Sequence, residues 1–555
     1  MARTSDYAFA GVALLAIVAP FELTAPLVRL PGQSISDLEV AMLAAFLTWG
    51  GAVFACGARP EWRTPLTAPW LALLIACGVA AVSSQVSRVN ALHMTGRLGA
   101  AFGVYLLTAN AITTRARVRA VLALTLGAGV LVSALAVLEY LQVPAVLRFL
   151  TLFRPGLSTV GAQVRAGGPL QYPTIASMYL EIVFAFGVGL LVMELEAGHR
   201  ATVWLVLAAL VLVAEAITVT FTRAGVITAI ATLAIAAAAQ WRRRGLDGSV
   251  RVVGLLTAAV IVVFFGSRSP ESIRLRWTTE GQAAWYRAAI HAPDTVAVVT
   301  GRNQLIPLSV TNVGRLVWNS QAAPPIYFSY HWLDATSDRV VAFEGVRTPF
   351  DRPVSPGETV SLAARVRAPD HAGAFRISWD LVQDGRLWFT TEPGAVVQTS
   401  RANVSGDEPL VPMPTFAPPR PTTRPGRFQL WRAALAMFAT HPVVGVGPDN
   451  FRLSYGRYAG IATPDPRTHS NNMYLELLAD TGLVGAAAFA WLLWATRACK
   501  VTNIGVVCAL VAIALHGLVD SFLSFGPTYV LFALTLGLAC AEARGLEIGS
   551  DAHRV

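Results

Sequence analysis

The chain has 555 residues, of which 54% are hydrophobic and only 14% charged, with a formal net charge of +10 and a mean hydropathy of +0.54. That balance excludes an ordinary soluble globule and describes a polytopic α-helical membrane protein. The surplus of arginine reads as membrane topology rather than as a nucleic-acid footprint, since it recurs in short loops between apolar runs.

Taking roughly twenty apolar residues per span, about twelve spans are expected, at 7–29, 36–56, 68–84, 91–111, 120–141, 173–194, 201–220, 224–240, 251–267, 483–497, 501–519 and 526–543. The first run lacks a small-residue cleavage site and leads straight into further apolar segments, so it reads as a span and not as a cleaved signal peptide. Loops carrying Arg59 and Arg63, Arg115 to Arg119, Arg242 to Arg244, and Arg497 with Lys500 fall on one side, which the positive-inside rule makes cytoplasmic. Both termini are then cytoplasmic, while 142–172, the turn at Thr222 and Arg223, and 267–478 are extracytoplasmic.

The expected domains are an N-terminal transmembrane part at 1–291, an inserted domain at 292–402, a Pro/Thr-rich linker at 403–425 and a C-terminal transmembrane part at 426–555. Segments such as LIPLSVTNVG, IYFSYHWLD and FRISWDLVQDG in the insert are short alternating strands with Gly, Pro, Asn and Asp turns. They predict an immunoglobulin-like β-sandwich. Trp332 and Trp379 are expected in its core; sugar stacking by Trp318, Trp332 or Trp388 is the competing reading. Cys56, Cys77, Cys499, Cys508 and Cys540 all lie outside the insert, so its fold cannot depend on a disulfide. No zinc, P-loop or dinucleotide motif is found, and no metal or cofactor is expected.

Polar chemistry gathers in the C-terminal part. GRFQLWRAALAMFATHPVVGVGPDNF, followed by THSNNMYLELLADTGLVG, reads as an amphipathic helix stopped by Pro442, Gly445 and Gly447, then a second helix restarting after a His/Ser/Asn cluster. His469 has a near-neutral ordinary pKa and is the candidate proton acceptor, with Asn471, Asn472, Tyr474 and Glu476 beside it. Arg165 in QVRAGGPLQYPTIASMYL and Arg223 in TVTFTRAGV stand next to apolar runs, where a charge calls for a partner or a watery cavity. Arg427 opens the GRFQLW motif. His516 and Asp520, four apart, are expected to share a helix face, and Glu139, Glu181 and Glu215 are further acids in or near spans.

These motifs resemble the C-terminal signature of the bacterial O-antigen ligase and polymerase family: GR-x-x-x-W, then HP-x-x-G-x-G-x-x-F, then an H/N-rich stretch before YLE. TFTRAG and R-x-x-G-x-x-x-x-P match two further arginine patterns of that family. In many members a His stands at the place of Asn471, whereas here the His is two residues earlier. The resemblance implies a GT-C-like glycosyltransferase of the plasma membrane with an extracytoplasmic site. It would move a glycan from a polyprenyl diphosphate donor to a lipid or glycan acceptor hydroxyl without metal or nucleotide sugar. His469 would be the base, Arg165, Arg223 and Arg427 the diphosphate contacts, and Asn471, Asn472, Tyr474, Glu476 and Asp520 supporting residues. A polysaccharide polymerase or a protein O-oligosaccharyltransferase fits the same signature. A polysaccharide or lipid transporter with an external binding module is the alternative from another class. The insert would then recruit cell-envelope assembly partners.

Overall fold

A computed structural model describes residues 2–30, 33–154, 156–160, 163–245, 248–266, 284–321, 325–337, 339–384, 387–392, 394–406, 425–461, 464–499 and 501–543, which form a helical unit and a β unit. The expected linker at 403–425 lies mostly outside the described residues.

In chain order the helices are α1 (Ala2–Val18), α2 (Asp37–Ala55), α3 (Thr67–Ser83), α4 (Arg88–Ala111), α5 (Arg115–Tyr140), α6 (Pro144–Leu150), α7 (Pro173–Ala197), α8 (Arg200–Val219), α9 (Arg223–Arg244), α10 (Gly248–Gly266), α11 (Arg427–Thr440), α12 (Phe451–Ala459), α13 (Met473–Ala495), α14 (Ile504–His516) and α15 (Gly526–Ala543). A helix coincides with each of the twelve apolar runs, because a long apolar stretch can satisfy its backbone only internally. Among the described residues seven helices have both the length and the hydropathy of a span: α1, α2, α5, α7, α8, α9 and α13. α3, α14 and the apolar parts of α10 and α15 are shorter, and α4 is long but carries Arg88, His93 and Arg97 in its first half.

Local signals fix where these helices begin. Ser36 and Glu39 close a reciprocal capping box on α2, Ser87 and Thr114 cap α4 and α5, and Pro173 starts α7 in the position where a missing N–H costs nothing. α7 is buried along its whole apolar length and forms the centre of the bundle. Its glycines allow close approach: a Cβ on Gly189 would lie 2.7 Å from the Gly505 Cα.

Short hairpins join β1 (Val28–Leu30) to β2 (Gln33–Ile35) and β3 (Ser158–Val160) to β4 (Gln163–Arg165). The β unit holds β5 (Ala289–His291), β6 (Thr295–Val299), β7 (Asn303–Thr311), β8 (Ile326–Asp334), β9 (Val340–Ala342), β10 (Thr348–Pro349), β11 (Thr359–Arg367), β12 (Gly373–Gln383), β13 (Leu387–Trp388) and β14 (Gln398–Ser405). One sheet runs β10-β8-β12-β14-β6, with β9 on β8 and β13 on β12; the other runs β11-β7-β5. The strands extend past both edges of 292–402. Alternation along β6 puts Val296 and Val298 inward, and inward residues of both sheets meet in one core around Trp318, Phe328, Trp332, Trp379, Val310 and Val366. Trp318 and Trp332 are fully buried and Trp388 is 7% exposed, so these rings fill the interior and present no open face to a sugar.

Candidate functional site

The GVG turn is built into the next helix. α13 breaks at Gly482, whose φ is 62° and ψ −162°, so Leu483 and Val484 cannot donate to the carbonyls one turn back. They donate instead to the Pro442 and Val443 carbonyls at 2.9 and 3.2 Å, and the orphaned Ala479 and Asp480 carbonyls accept from Val446 and Gly447 at 3.0 and 2.8 Å. The 442–447 segment thus completes the helix ladder, satisfying groups that an apolar setting could not leave unpaired. Glycine is required where the backbones touch: Gly445 has φ 69°, and a Cβ there would lie 2.3 Å from the Asp480 carbonyl carbon. The glycines therefore serve close packing and not a phosphate cradle.

Asp480 then caps α12, accepting the Asp449 and Phe451 backbone N–H at 2.7 and 2.8 Å. Asn450 donates to Ser84 Oγ and to the Ser87 carbonyl, and Asn90 donates to the Asp449 carbonyl at 3.0 Å. The α3–α4 junction is thereby tied to the signature loop.

Beyond α12 the chain returns to α13 through His469. Its Nδ1 lies 2.6 Å from Glu476 Oε1, while Glu476 Oε2 accepts the Ser470 backbone N–H and hydroxyl, both at 2.8 Å. Asn472 caps α13 by accepting from the Tyr474 and Leu475 N–H, and its Nδ2 donates to the Leu518 carbonyl. Asn471, with φ 54°, occupies the left-handed turn that Asn tolerates better than most residues. The Tyr474 hydroxyl donates to the Ala514 carbonyl at 2.9 Å.

His469 lines a cavity of about 330 Å³ whose wall includes Arg97, Arg452 and Arg467, the carboxylates Glu22, Glu39 and Asp449, and Gln171, Tyr172 and Tyr529. Each arginine has an acid beside it: Arg97 reaches Glu39 at 3.7 Å, Arg452 reaches Asp449 at 2.8 Å and Arg467 reaches Asp465 at 3.1 Å. Burial works against a charge on His469, but the Glu476 carboxylate, with Asp449 and Asp520 further off, outweighs it and pushes the imidazole up to about 9. Arg97, Arg452, Arg467 and the imidazole put four basic side chains on the cavity wall, each with a carboxylate beside it.

The remaining expected site residues fall elsewhere. Arg165 donates from Nε to the Thr220 carbonyl at 3.0 Å and lies 3.4 Å from Thr222 Oγ1, beside the exposed Arg223 at the start of α9. Arg427 is exposed at the start of α11. None of the three lines the His469 cavity. α14 ends at His516 and the chain goes on in hydrogen-bonded turns, the Asp520 N–H donating to the His516 carbonyl at 3.0 Å, while the His516 Nδ1 pairs with Glu181 at 2.9 Å. Glu139 pairs with the buried Arg154 and accepts the Gly167 and Gly168 N–H at 3.0 and 2.8 Å, which fixes the start of the loop that supplies Gln171 and Tyr172. Sequence reasoning missed Arg97, Arg452, Arg467 and Asp480. Only Asp480, in the ADTG of the signature, stood within a motif. Among the described residues no group of three or more His, Cys, Asp or Glu could hold a metal ion.

Fold and site together define a multi-helix membrane protein with a polar cavity around a His–Glu pair at the junction of its signature helices. Residues 417–490, which run from before α11 to near the end of α13, match the family described as O-antigen ligase. Over this segment the chain is similar to the O-antigen ligase family. A comparison with curated proteins finds no match.

Proposed function

We propose that the protein transfers a glycan from a polyprenyl diphosphate to an acceptor hydroxyl in the His469 cavity, on the extracytoplasmic face of the plasma membrane. The observation that supports this most is the His469–Glu476 pair opening on a cavity walled by arginines. Glu476 holds Nδ1, which leaves Nε2 as the nitrogen for the incoming hydroxyl. As that proton moves to Nε2, the acceptor oxygen bonds to the anomeric carbon and the bond to the diphosphate breaks. The diphosphate departs with the bonding electrons, and a single displacement inverts the anomeric centre. Arg97, Arg452 and Arg467 balance the charge that develops on it, the guanidinium fork suiting phosphate oxygens.

In this reading Arg165, Arg223 and Arg427 contact donor groups outside the cavity, and Asn471, Asn472, Tyr474 and Asp520 shape the loop that presents His469. The β unit is an immunoglobulin-like accessory module that meets envelope partners, joined to the body by the Pro/Thr-rich stretch that follows β14, whose last residues 403–405 belong to the strand and not to the linker. A lipid, a growing polysaccharide and a protein differ only as acceptors. The test is reconstitution of the purified protein with a polyprenyl diphosphate glycan and each acceptor in turn, following release of polyprenyl diphosphate and attachment of the glycan. Release coupled to one acceptor is expected, and its absence with all three overturns the reading. Lys substitution distinguishes the two arginine sets: Arg97→Lys should raise the donor KM at least tenfold, and Arg165→Lys by a smaller factor. The reverse order would move the diphosphate site to the Thr220–Arg223 turn.

A further inference from the structure

Glu181 and His516 form a further histidine–carboxylate pair, and neither lines the His469 cavity. Glu181 stands on α7 and His516 is the last residue of α14, with side chains 0% and 1% exposed. The His516 Nδ1 lies 2.9 Å from Glu181 Oε2, which also accepts the Thr228 hydroxyl of α9 at 2.6 Å. Three helices thus meet on one carboxylate oxygen. A pair of ionisable groups this deep in an apolar bundle pays a desolvation cost that apolar side chains would not, and what it adds is direction, one fixed place for the His516 ring. The turn around and after His516 is the seat of the His469 loop. The Ala514 carbonyl accepts the Tyr474 hydroxyl at 2.9 Å, the Gly517 carbonyl accepts the Met473 N–H at 2.8 Å, and the Leu518 carbonyl accepts from Asn472 Nδ2 at 3.0 Å. The packing there is close, since a Cβ on Gly517 would lie 2.8 Å from Met473 Cε. Ser470 Oγ lies 2.9 Å from the Asn472 carbonyl, and Glu476 holds both Ser470 and the His469 ring.

We infer that Glu181 is a positioning residue for His469. By fixing the His516 ring it fixes the 514–518 carbonyls on which residues 472–474 sit, and through Ser470 and Glu476 it fixes the imidazole. Its effect on turnover rests on the transfer reading above; its hold on the loop does not. The cavity arginines stand on other elements, Arg97 on α4 and Arg452 on α12, so a loosened turn should misplace the base and leave a donor's charged head where it was. Loss of the pair should therefore lower kcat at constant donor KM, as removal of an interaction made only in the transition state does.

The experiment compares full-length wild type, Glu181→Gln, His516→Leu and the double variant Glu181→Leu/His516→Leu in phosphatidylcholine nanodiscs. Replacing both members of a buried pair by apolar groups is often neutral for stability where removing one is not, so the double variant separates the bond from the fold. His516→Leu, in which Thr228 still bonds Glu181, is a second route to the same loss. Glu181→Gln keeps an oxygen for both donors, and Glu181 Oε1 has no hydrogen-bond partner among the described residues, so an amide nitrogen there breaks no bond. Amide hydrogen exchange over 470–476 is read by mass spectrometry with β-unit peptides as the reference, and transfer kinetics are read with the donor and acceptor that couple in the assay above. Both Leu forms should speed exchange of the Met473–Leu475 amides about tenfold and lower kcat about ten- to 100-fold with donor KM within about twofold. Glu181→Gln should bring both readings back to within about threefold of wild type. Exchange left at the wild-type rate, faster exchange with kcat intact, faster exchange throughout the helical unit, a changed KM at constant kcat, a Gln form as impaired as the Leu forms, or failure of both Leu forms to fold would each overturn the assignment. Local exchange as expected in a protein whose wild type transfers nothing would sink the proposed reaction and keep the hold of Glu181 on the loop.

Discussion

The helical and β units each contain a histidine paired with a carboxylate, and the two pairs do different work. In the β unit His331 has both ring nitrogens engaged, Nδ1 with the Phe343 carbonyl and Nε2 with Asp380 at 3.2 Å, and its ring lies 4.4 Å from those of Phe343 and Trp388. Thr390 and the Leu381 N–H complete the Asp380 shell. In the helical unit Glu476 holds only one nitrogen of His469, and no partner of the other is found among the described residues. A His–carboxylate pair closed on all sides is a packing device. The same pair with one nitrogen facing a cavity can exchange a proton with a ligand.

The strongest way to break this contrast is to remove each ring. His469→Ala should lower transfer by about 100- to 10,000-fold at unchanged membrane abundance, and near-normal turnover would take His469 out of the mechanism. The pH profile is the next largest effect. The imidazole is held up to about 9 in the free protein, so the proton-accepting form grows as pH rises, and kcat/KM should climb about tenfold per unit before levelling near pH 9. A profile that falls over that range would assign the protonated ring the active role.

Two glycines sharpen the comparison through stability. Gly445 and Gly357 both have positive φ, 69° and 83°, but a Cβ on Gly445 collides with the Asp480 backbone while one on Gly357 meets nothing within 4 Å. Gly445→Ala should cost at least about 2 kcal/mol, strain plus crowding, and Gly357→Ala about 1 kcal/mol from strain alone. Thermal unfolding of both variants in detergent reads the difference, and equal shifts would mean that the loop yields. The smallest effect on activity belongs to His331→Ala, which takes one of several donors from the buried Asp380 and empties the space between Phe343 and Trp388, and should destabilise a 284–406 fragment by about 1–3 kcal/mol. Transfer by the full-length variant should stay within twofold; a larger loss would tie the β unit to catalysis.

Much of the helical scaffold was legible, since apolar run length and the Ser36, Thr114 and Pro173 start signals are local. The role of HPVVGVG as a turn was legible too, from Pro442 and the glycines. Its docking onto a broken α13 was not, because nothing in ADTGLVG marks Gly482 as a break except the partner segment it meets. His469, Asn472 and Glu476 lie within one motif and could be found together. Arg97 and Glu22 reach the cavity from α4 and from the end of the first span, and such long-range convergence leaves no periodic trace. The His516–Asp520 spacing persists past the end of the helix as a turn closed by the Asp520 N–H on the His516 carbonyl, but the partner of the His516 ring, Glu181 on α7, is a long-range one that spacing does not show.

The exchange of backbone bonds between 442–447 and α13 also bears on how the protein is made. Neither piece can enter an apolar environment alone, since each would carry open amide and carbonyl groups whose desolvation costs several kcal/mol apiece. The turn leaves the ribosome first, and its open groups stay with water until Gly482 has emerged. The two halves of the signature therefore fold as one unit, and a long insertion between them should act on folding before any effect on turnover.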